Sequence, residues 1–493
     1  MIAVGSCRLL LLVFFCLTTT VVAFADEAST ARRFEAARGD EPSLIAFLKT
    51  MPKGGDLHHH FPGGGIFAEE AVRAAVRSGL FFDPATGRFE SDDATGRVPA
   101  ERLLTDDALR YQFLNAASMR GPVAGPAGGH DHFFRAFGIL GTATSSLDPA
   151  SQLVEVARRA RLQNIQYLEL MAGPAREAME RVRAAAVVSD TPEELPRRLK
   201  PLIDAYVAAA TEELDRWTRE VADKGGLDRP VEVRYLIAAA RTDTDARIMA
   251  TWAAGFSLMK VDPRVVGVNF LAPEDHPISQ DGFDRQMRIL DGLWKQFDRP
   301  NVALHAGELN LWLSPVEPMT SRIRRSIELG HARRIGHGIS VAWEHDLPGL
   351  LRTMRRDGIA VEVCPTSNAV ILGAEGDRHP FRLYRRAGVP LTINTDDEGI
   401  GRSNLTMEYV RAVRAFRLSY RDVKELVRNG LEYSFLGGPS LFEGRDYRRV
   451  RPPYRKLKAR GWVPTPEEEK RLATSDKARV QVRLERALYE FER

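Results

Sequence analysis

Short apolar runs alternate with stretches of helical spacing along most of this chain, and the alternation carries its architecture. The candidate strands are Asp56–His60, Ile165–Leu170, Val231–Ile237, Val265–Phe270, Val302–His305, Arg334–His337, Ala360–Val363 and Leu391–Asn394. Apolar runs interleaved with helices belong to parallel sheets, whose strands are buried on both faces. Eight of them predict an α/β fold, a TIM-type (β/α)8 barrel, with its functional end at the C-terminal ends of the strands.

The flanks read differently. Ala31–Lys49 has helical spacing with Phe34, Leu44, Ile45, Phe47 and Leu48 as its apolar positions, so an N-terminal helical segment is expected over 26–50. Met51-Pro52-Lys53-Gly54-Gly55 ends it and opens the barrel domain, expected over 51–436. Phe61-Pro62-Gly63-Gly64-Gly65 predicts a turn, followed by a helix from about Phe67 to Arg77. Residues 80–146, with Gly and Pro clustered at 121–129, read as an irregular insertion after the first strand that covers one end of the core. The stretch 437–493 reads as a peripheral C-terminal extension packed on the barrel. In it, Arg445–Arg460 is basic with Tyr447 and Tyr454 interspersed and predicts a solvated loop. Pro466–Arg493 predicts one charged amphipathic helix packing through Leu472, Val480, Leu484 and Leu488.

The first 25 residues look like none of this. Arg8 precedes an apolar run from Leu9 to Val22, and Ala23-Phe24-Ala25 has the small-x-small form of a cleavage site. Residues 1–25 therefore read as a signal peptide, with an uncleaved anchor as the plainer alternative, and the mature chain as exported to the periplasm or beyond, with no stable membrane anchor expected after cleavage. Its removal takes Cys7 and Cys16 and leaves Cys364, which excludes an internal disulfide and any metal site built on two thiolates. A net charge of +4 over 493 residues gives no electrostatic case for nucleic acid.

Four fragments at predicted strand ends carry the chemistry: Leu57-His58-His59-His60, His305-Ala306-Gly307-Glu308, Gly336-His337-Gly338 and Thr395-Asp396-Asp397. Residues two apart share a strand face, so His58 and His60 point one way and His59 the other. With His305 and Asp396 they make three imidazoles and one carboxylate, a donor set that suits one zinc ion with a position left for water. Zinc would bring the pKa of that water toward neutrality. Glu308, just past His305, can exchange protons with a substrate over the metal; His337 can hold or deprotonate the water; Asp397 can take a hydrogen bond from the substrate. Each has a plainer reading alone: Glu308 as a helix cap, His337 as a loop histidine, Asp396-Asp397 as a helix-entry turn, Cys364 as a buried strand-end thiol.

Met51-Pro52-Lys53-Gly54-Gly55-Asp56-Leu57-His58-His59-His60, HAGE at 305–308, RIGHG at 334–338, CPTSN at 364–368 and TDDEG at 395–399 together resemble the adenosine deaminase family of metal-dependent hydrolases. The resemblance runs from Met51 to about Phe435, and the leader with the MPKGG start is similar to the family's secreted, adenosine deaminase-related branch and its bacterial relatives. It implies a TIM barrel with one zinc per chain held by His58, His60, His305 and Asp396. It implies that Glu308 protonates a purine at N1, that His337 positions the attacking hydroxide and that Asp397 bonds N7. Adenosine, or a related 6-aminopurine compound, would become inosine or the matching 6-oxo product, with release of ammonia. Two positions depart from the family pattern. Pro62 stands where an acidic residue meets the ribose end, and Pro273 stands where a glycine N–H meets purine N3, a donor that proline lacks. An amidohydrolase with another substrate, or a secreted binding protein on the same fold, stay open as alternatives.

Overall fold

The computed structural model describes residues 26–493 apart from 122, 124–126, 145–146 and 226–230. The expected leader and its Ala23-Phe24-Ala25 site lie outside the described residues. The predicted strands are present as β1 Gly54–His60, β2 Ile165–Ala172, β3 Glu232–Ala240, β4 Val265–Leu271, β5 Ala303–Ala306, β6 Arg334–His337, β7 Ala360–Val363 and β8 Leu391–Ile393. They pair in parallel in two runs, β1-β2-β3-β4 and β5-β6-β7-β8.

Two bridges turn the runs into a ring. Val268 pairs with Val302 between β4 and β5, and His59 pairs with Asp396 between β1 and the end of β8. At the second seam the His60 N–H donates to the Asp396 carbonyl at 3.0 Å and the Asp396 N–H to the His58 carbonyl at 2.8 Å. The hydrogen bonds that close the barrel are thus made by the residues of the HHH and TDD fragments. Every residue of β5, β6 and β7 is buried, as strands sandwiched between barrel interior and outer helices require.

The flanking expectations need correction in three places. The helix expected over Ala31–Lys49 is two, Glu27–Ala37 and Glu41–Thr50. Arg38-Gly39-Asp40 interrupts it, because Asp40 caps the second helix by accepting the Ser43 N–H at 2.8 Å. The insertion over 80–146 is not irregular: it holds three short antiparallel strands, Phe81–Asp83, Arg88–Glu90 and Val98–Pro99, and helices including Asp107–Ala116 and Gly128–Thr144. Its glycines and prolines hid a helical stripe, Phe133, Ala136, Leu140 and Ala143, all buried in a small core with Phe82, Phe89 and Phe113. It does cover the C-terminal strand ends, where Gly129 lets the helix Gly128–Thr144 approach the Val370 backbone.

The C-terminal stretch is two helices, Pro466–Leu472 and Asp476–Phe491, each opened by its own cap, Thr465 and Ser475. Val480, Leu484 and Leu488 join the main core, so the extension is continuous with the barrel. Tyr447 and Tyr454 are buried beside Phe442 and Leu457, so the basic segment is anchored by its aromatics while Arg448 and Arg449 face solvent. Among the described residues no helix is long and apolar enough to cross a membrane.

Candidate active site

The ends of β1, β5, β6 and β8 converge at the barrel mouth. His58, His60, His305 and Asp396 each offer one ligand atom, and these four atoms all lie within 4.8 Å of one another. His60 Nε2 is 3.3 Å from His305 Nε2 and 3.1 Å from Asp396 Oδ1, and His58 Nε2 is 3.3 Å from the same oxygen. A tetrahedral ion with bonds of about 2.0–2.1 Å separates its ligand atoms by about 3.3 Å, so the spacing suits a divalent metal. His58 Nε2 is also buried without a hydrogen-bond partner, a state that an ion would relieve.

Local backbone aims these groups. Asp396 and His337 both sit in the left-handed region, with φ of 60° and 65°, a conformation that side chains other than glycine's resist. The glycines around them allow close approach: a Cβ on Gly336 would come within 2.8 Å of His58 Cε1, and one on Gly64 would collide with Asp397 Oδ1. His59 turns away as expected. Its Nδ1 meets Thr395 Oγ1 at 2.9 Å, and the Thr395 hydroxyl donates to Asp56 Oδ2 at 2.6 Å, which pins β1 to β8.

A supporting layer was missed in the sequence. Glu362 Oε2 lies 2.7 Å from His58 Nδ1, and Asn269 Oδ1 lies 2.9 Å from His305 Nδ1, so both rings turn Nε2 toward the ligand cluster. Glu274 accepts the N–H groups of Gly307 at 3.2 Å and Glu308 at 2.7 Å, fixing the HAGE turn from beneath. Asn368 Nδ2 donates to His337 Nδ1 at 2.9 Å. The available signal was a polar residue inside an apolar strand run, as in Val361-Glu362-Val363 and Val268-Asn269-Phe270.

The electrostatics sort the carboxyl groups. Burial pushes Glu308 well above the usual carboxylate range, helped by the nearby Asp396 and Glu274 charges. Asp397 is raised for the same reasons, burial first and Asp396 next. Asp396 is held well below its ordinary value: burial opposes this, but hydrogen bonds to His58 and His60 outweigh it. Burial thus pushes Glu308 and Asp397 toward the protonated form while the imidazoles hold Asp396 toward the ionised one, a division that suits acid–base roles. Burial pulls His58 down, yet its bonds to Asp396 and Glu362 raise it to about 10; a metal at Nε2 would take the place of that proton. Burial lowers His337 to about 3 and takes His305 well below its ordinary value.

The plainer readings fare unevenly. No helix starts at Glu308; the next begins at Val316, so Glu308 caps nothing. His337 is the buried last residue of β6 and not a loop histidine. Cys364 is fully buried and its thiol is pushed up by that burial, as expected of a structural strand end. A cavity of about 320 Å³ opens on the cluster, lined by His60, His305, Glu308, His337, Asp396 and Asp397. Phe133, Phe134 and Phe137 of the insertion and Pro273 also line it, and no lysine or arginine is among the lining residues.

Comparison with known proteins agrees with this geometry. The family model described as adenosine deaminase matches residues 127–440; the matched span begins past His58 and His60, which the fold brings to the same place. The aminodeoxyfutalosine deaminase of Streptomyces coelicolor is 30% identical over 288 residues, 58% of this chain and 62% of that protein, so the chain spans less than two thirds of that relative. An N6-mAMP deaminase from Arabidopsis shares the fold at a TM-score of 0.52 and 20% identity, over 79% of this chain and 95% of that one. So does an amidohydrolase from Burkholderia ambifaria solved with bound zinc, at a TM-score of 0.51 and 19% identity, over 80% and 88% of the two chains. A match across most of the barrel, on a closed (β/α)8 ring with its His/His/His/Asp cluster at the C-terminal mouth, makes the chain a member of the adenosine deaminase family.

Proposed function

We propose that this chain is an exported, zinc-dependent aminohydrolase that replaces the 6-amino group of an uncharged purine nucleoside or base by oxygen and releases ammonia. The observation that carries the reading is the pairing of a four-atom cluster able to hold a metal with a buried carboxyl group, Glu308, pushed toward its protonated form by that burial, both facing one cavity. The donor set of three imidazoles and one aspartate fits zinc, and a zinc-bearing fold neighbour supports the choice. When bound there, zinc supplies a water acidified toward neutral pH as the attacking group.

The chain's own residues do the rest. Glu308 delivers a proton to ring N1, which draws electron density from C6 and makes that carbon the point of attack. His337 holds the attacking oxygen, and Asp397, kept as the acid, donates a hydrogen bond to N7. Oxygen adds to C6, a proton lost by the attacking water passes to the 6-amino group, the C6–N bond breaks and ammonia leaves, while the proton from Glu308 stays on N1 of the 6-oxo product. The phenyl wall of Phe133, Phe134 and Phe137 shields this chemistry from water. A lining without lysine or arginine favours a nucleoside or base over a nucleotide, whose phosphate needs a cationic partner. Pro273, with no N–H to offer, favours a 6-aminopurine other than unmodified adenosine.

The test is metal content of the purified chain with ammonia release from adenine, adenosine, 5′-substituted adenosines, AMP and N6-methyl-AMP. The expected result is zinc near one per chain and turnover confined to compounds without phosphate. Zinc retained with no ammonia from any member would favour a binding protein on this fold. Export has its own check: chain recovered from the periplasm or medium should begin at Asp26.

A further inference from the structure

Behind His337 runs a chain of hydrogen bonds whose direction is fixed at two points, His379 and Asn368, by backbone N–H groups, which can only donate. The Phe381 N–H donates to His379 Nδ1 at 3.0 Å, so that nitrogen carries the lone pair and the His379 proton sits on Nε2. His379 Nε2 is 3.1 Å from Asn368 Oδ1, and the Cys364 N–H donates to the same oxygen at 3.3 Å. With two donors converging on it, that atom must be the amide oxygen, because the opposite amide orientation would set NH2 against both. Asn368 then has its NH2 toward His337 Nδ1, 2.9 Å away. Asn368, His337 and His379 are all buried, so no solvent competes for these contacts.

We propose that Asn368 is a positioning residue that fixes the neutral His337 ring with its proton on Nε2, making His337 a donor to the attacking oxygen and not its base. On its other side the ring faces the reacting groups: His337 Nε2 lies 3.4 Å from Glu308 Oε1 and 3.9 Å from Asp396 Oδ2. A hydrogen bond from Nε2–H to the attacking oxygen strengthens as negative charge gathers there during addition to C6. The proton lost by the water as the O–C6 bond forms passes to Glu308, which its donation to N1 has left as a carboxylate, and from there to the departing amino group. A neutral ring already protonated at Nε2 has no lone pair on that side to receive it. The role assigned to His337 rests on the deaminase reading above; its proton position does not.

The test pairs a spectroscopic and a kinetic readout. In the full chain labelled with 15N-histidine, the His337 signals, assigned by their loss in His337→Gln, should show a bare Nδ1 and a protonated Nε2. Asn368→Asp keeps acceptors for Cys364 N–H and His379 but presents only oxygen to His337, so the ring should invert to Nδ1–H. With the metal content and KM near wild type, kcat should fall about 10³–10⁴-fold, as for an active-site imidazole held in the wrong tautomer. Asn368→Ala, which leaves the ring unguided, should give a mixed tautomer and a smaller loss. A wild-type ring protonated at Nδ1, or an inverted ring in Asn368→Asp with wild-type kcat, overturns the proposal. Correct tautomers in both proteins with no 6-aminopurine turned over by the wild type would uphold the proton assignment and bring down the deaminase reading instead.

Discussion

Two groups of buried charge share the barrel interior, and the structure resolves them in opposite ways. In the middle of the barrel, Arg334 bridges Glu169, 2.6 Å from its guanidinium, and Glu362, with the Phe435 ring 3.7 Å beneath. Glu169 also accepts from the Tyr167 hydroxyl and the Phe435 N–H, each at 2.7 Å. All these ends are met within the fold. At the mouth, His58 Nε2 and Asp397 Oδ1 are as deeply buried and have no hydrogen-bond partner. Burial and charge are common to both groups; completeness of partners is what separates scaffold from site. Glu362 belongs to both, with one oxygen on Arg334 and the other on His58.

The largest effect should come from the mouth and touch activity alone. Glu308→Gln keeps the shape and the HAGE turn but removes the acid, so kcat should drop about 10²–10⁴-fold with zinc content and melting temperature unchanged. Near-normal turnover in that variant would end the acid assignment. In the interior the pattern should reverse. Arg334→Met leaves the buried Glu169 and Glu362 without the cation between them, and denaturant titration should show a loss of about 3–5 kcal/mol, as when one partner of a buried ion pair is removed. A loss under about 1 kcal/mol would mean that the bridge contributes little.

A carboxyl group outside both sets sharpens the contrast through pH. Glu408 accepts the Thr366 N–H at 2.8 Å and sets the CPTSN turn, and burial raises it to about 7. The folded protein therefore holds a proton that the unfolded chain releases near pH 4.5, so this contribution is complete at lower pH and fades as pH rises through 7. Glu408→Gln should remove a decline on the order of 3 kcal/mol between those values, read from unfolding curves at several pH values. An unchanged slope would assign the titration elsewhere. The smallest effect belongs to the shared residue: Glu362→Gln should weaken zinc binding about 10–100-fold, measured by competition with a chelator. Unaltered affinity would place Glu362 with the scaffold only.

The eight strands, the barrel and the meeting of His58, His60, His305 and Asp396 at its mouth were legible in the sequence, because strands buried on both faces must be continuously apolar and the candidate ligands stand where those runs stop. The insertion was not, since its helix Gly128–Thr144 opens with glycines and its apolar stripe packs on Phe82, Phe89 and Phe113 of the insertion itself, not on the barrel sheet. Nor was the layer of Asn269, Glu274, Glu362 and Asn368. Each is an ordinary polar residue whose role is given by the group it faces, and those groups lie tens to hundreds of residues away. Local sequence set the periodicity and the donor chemistry. Only closure of the ring through His59 and Asp396 decided which atoms meet, because hydrogen-bond partners in a barrel are chosen by strand register, a property of the whole circle.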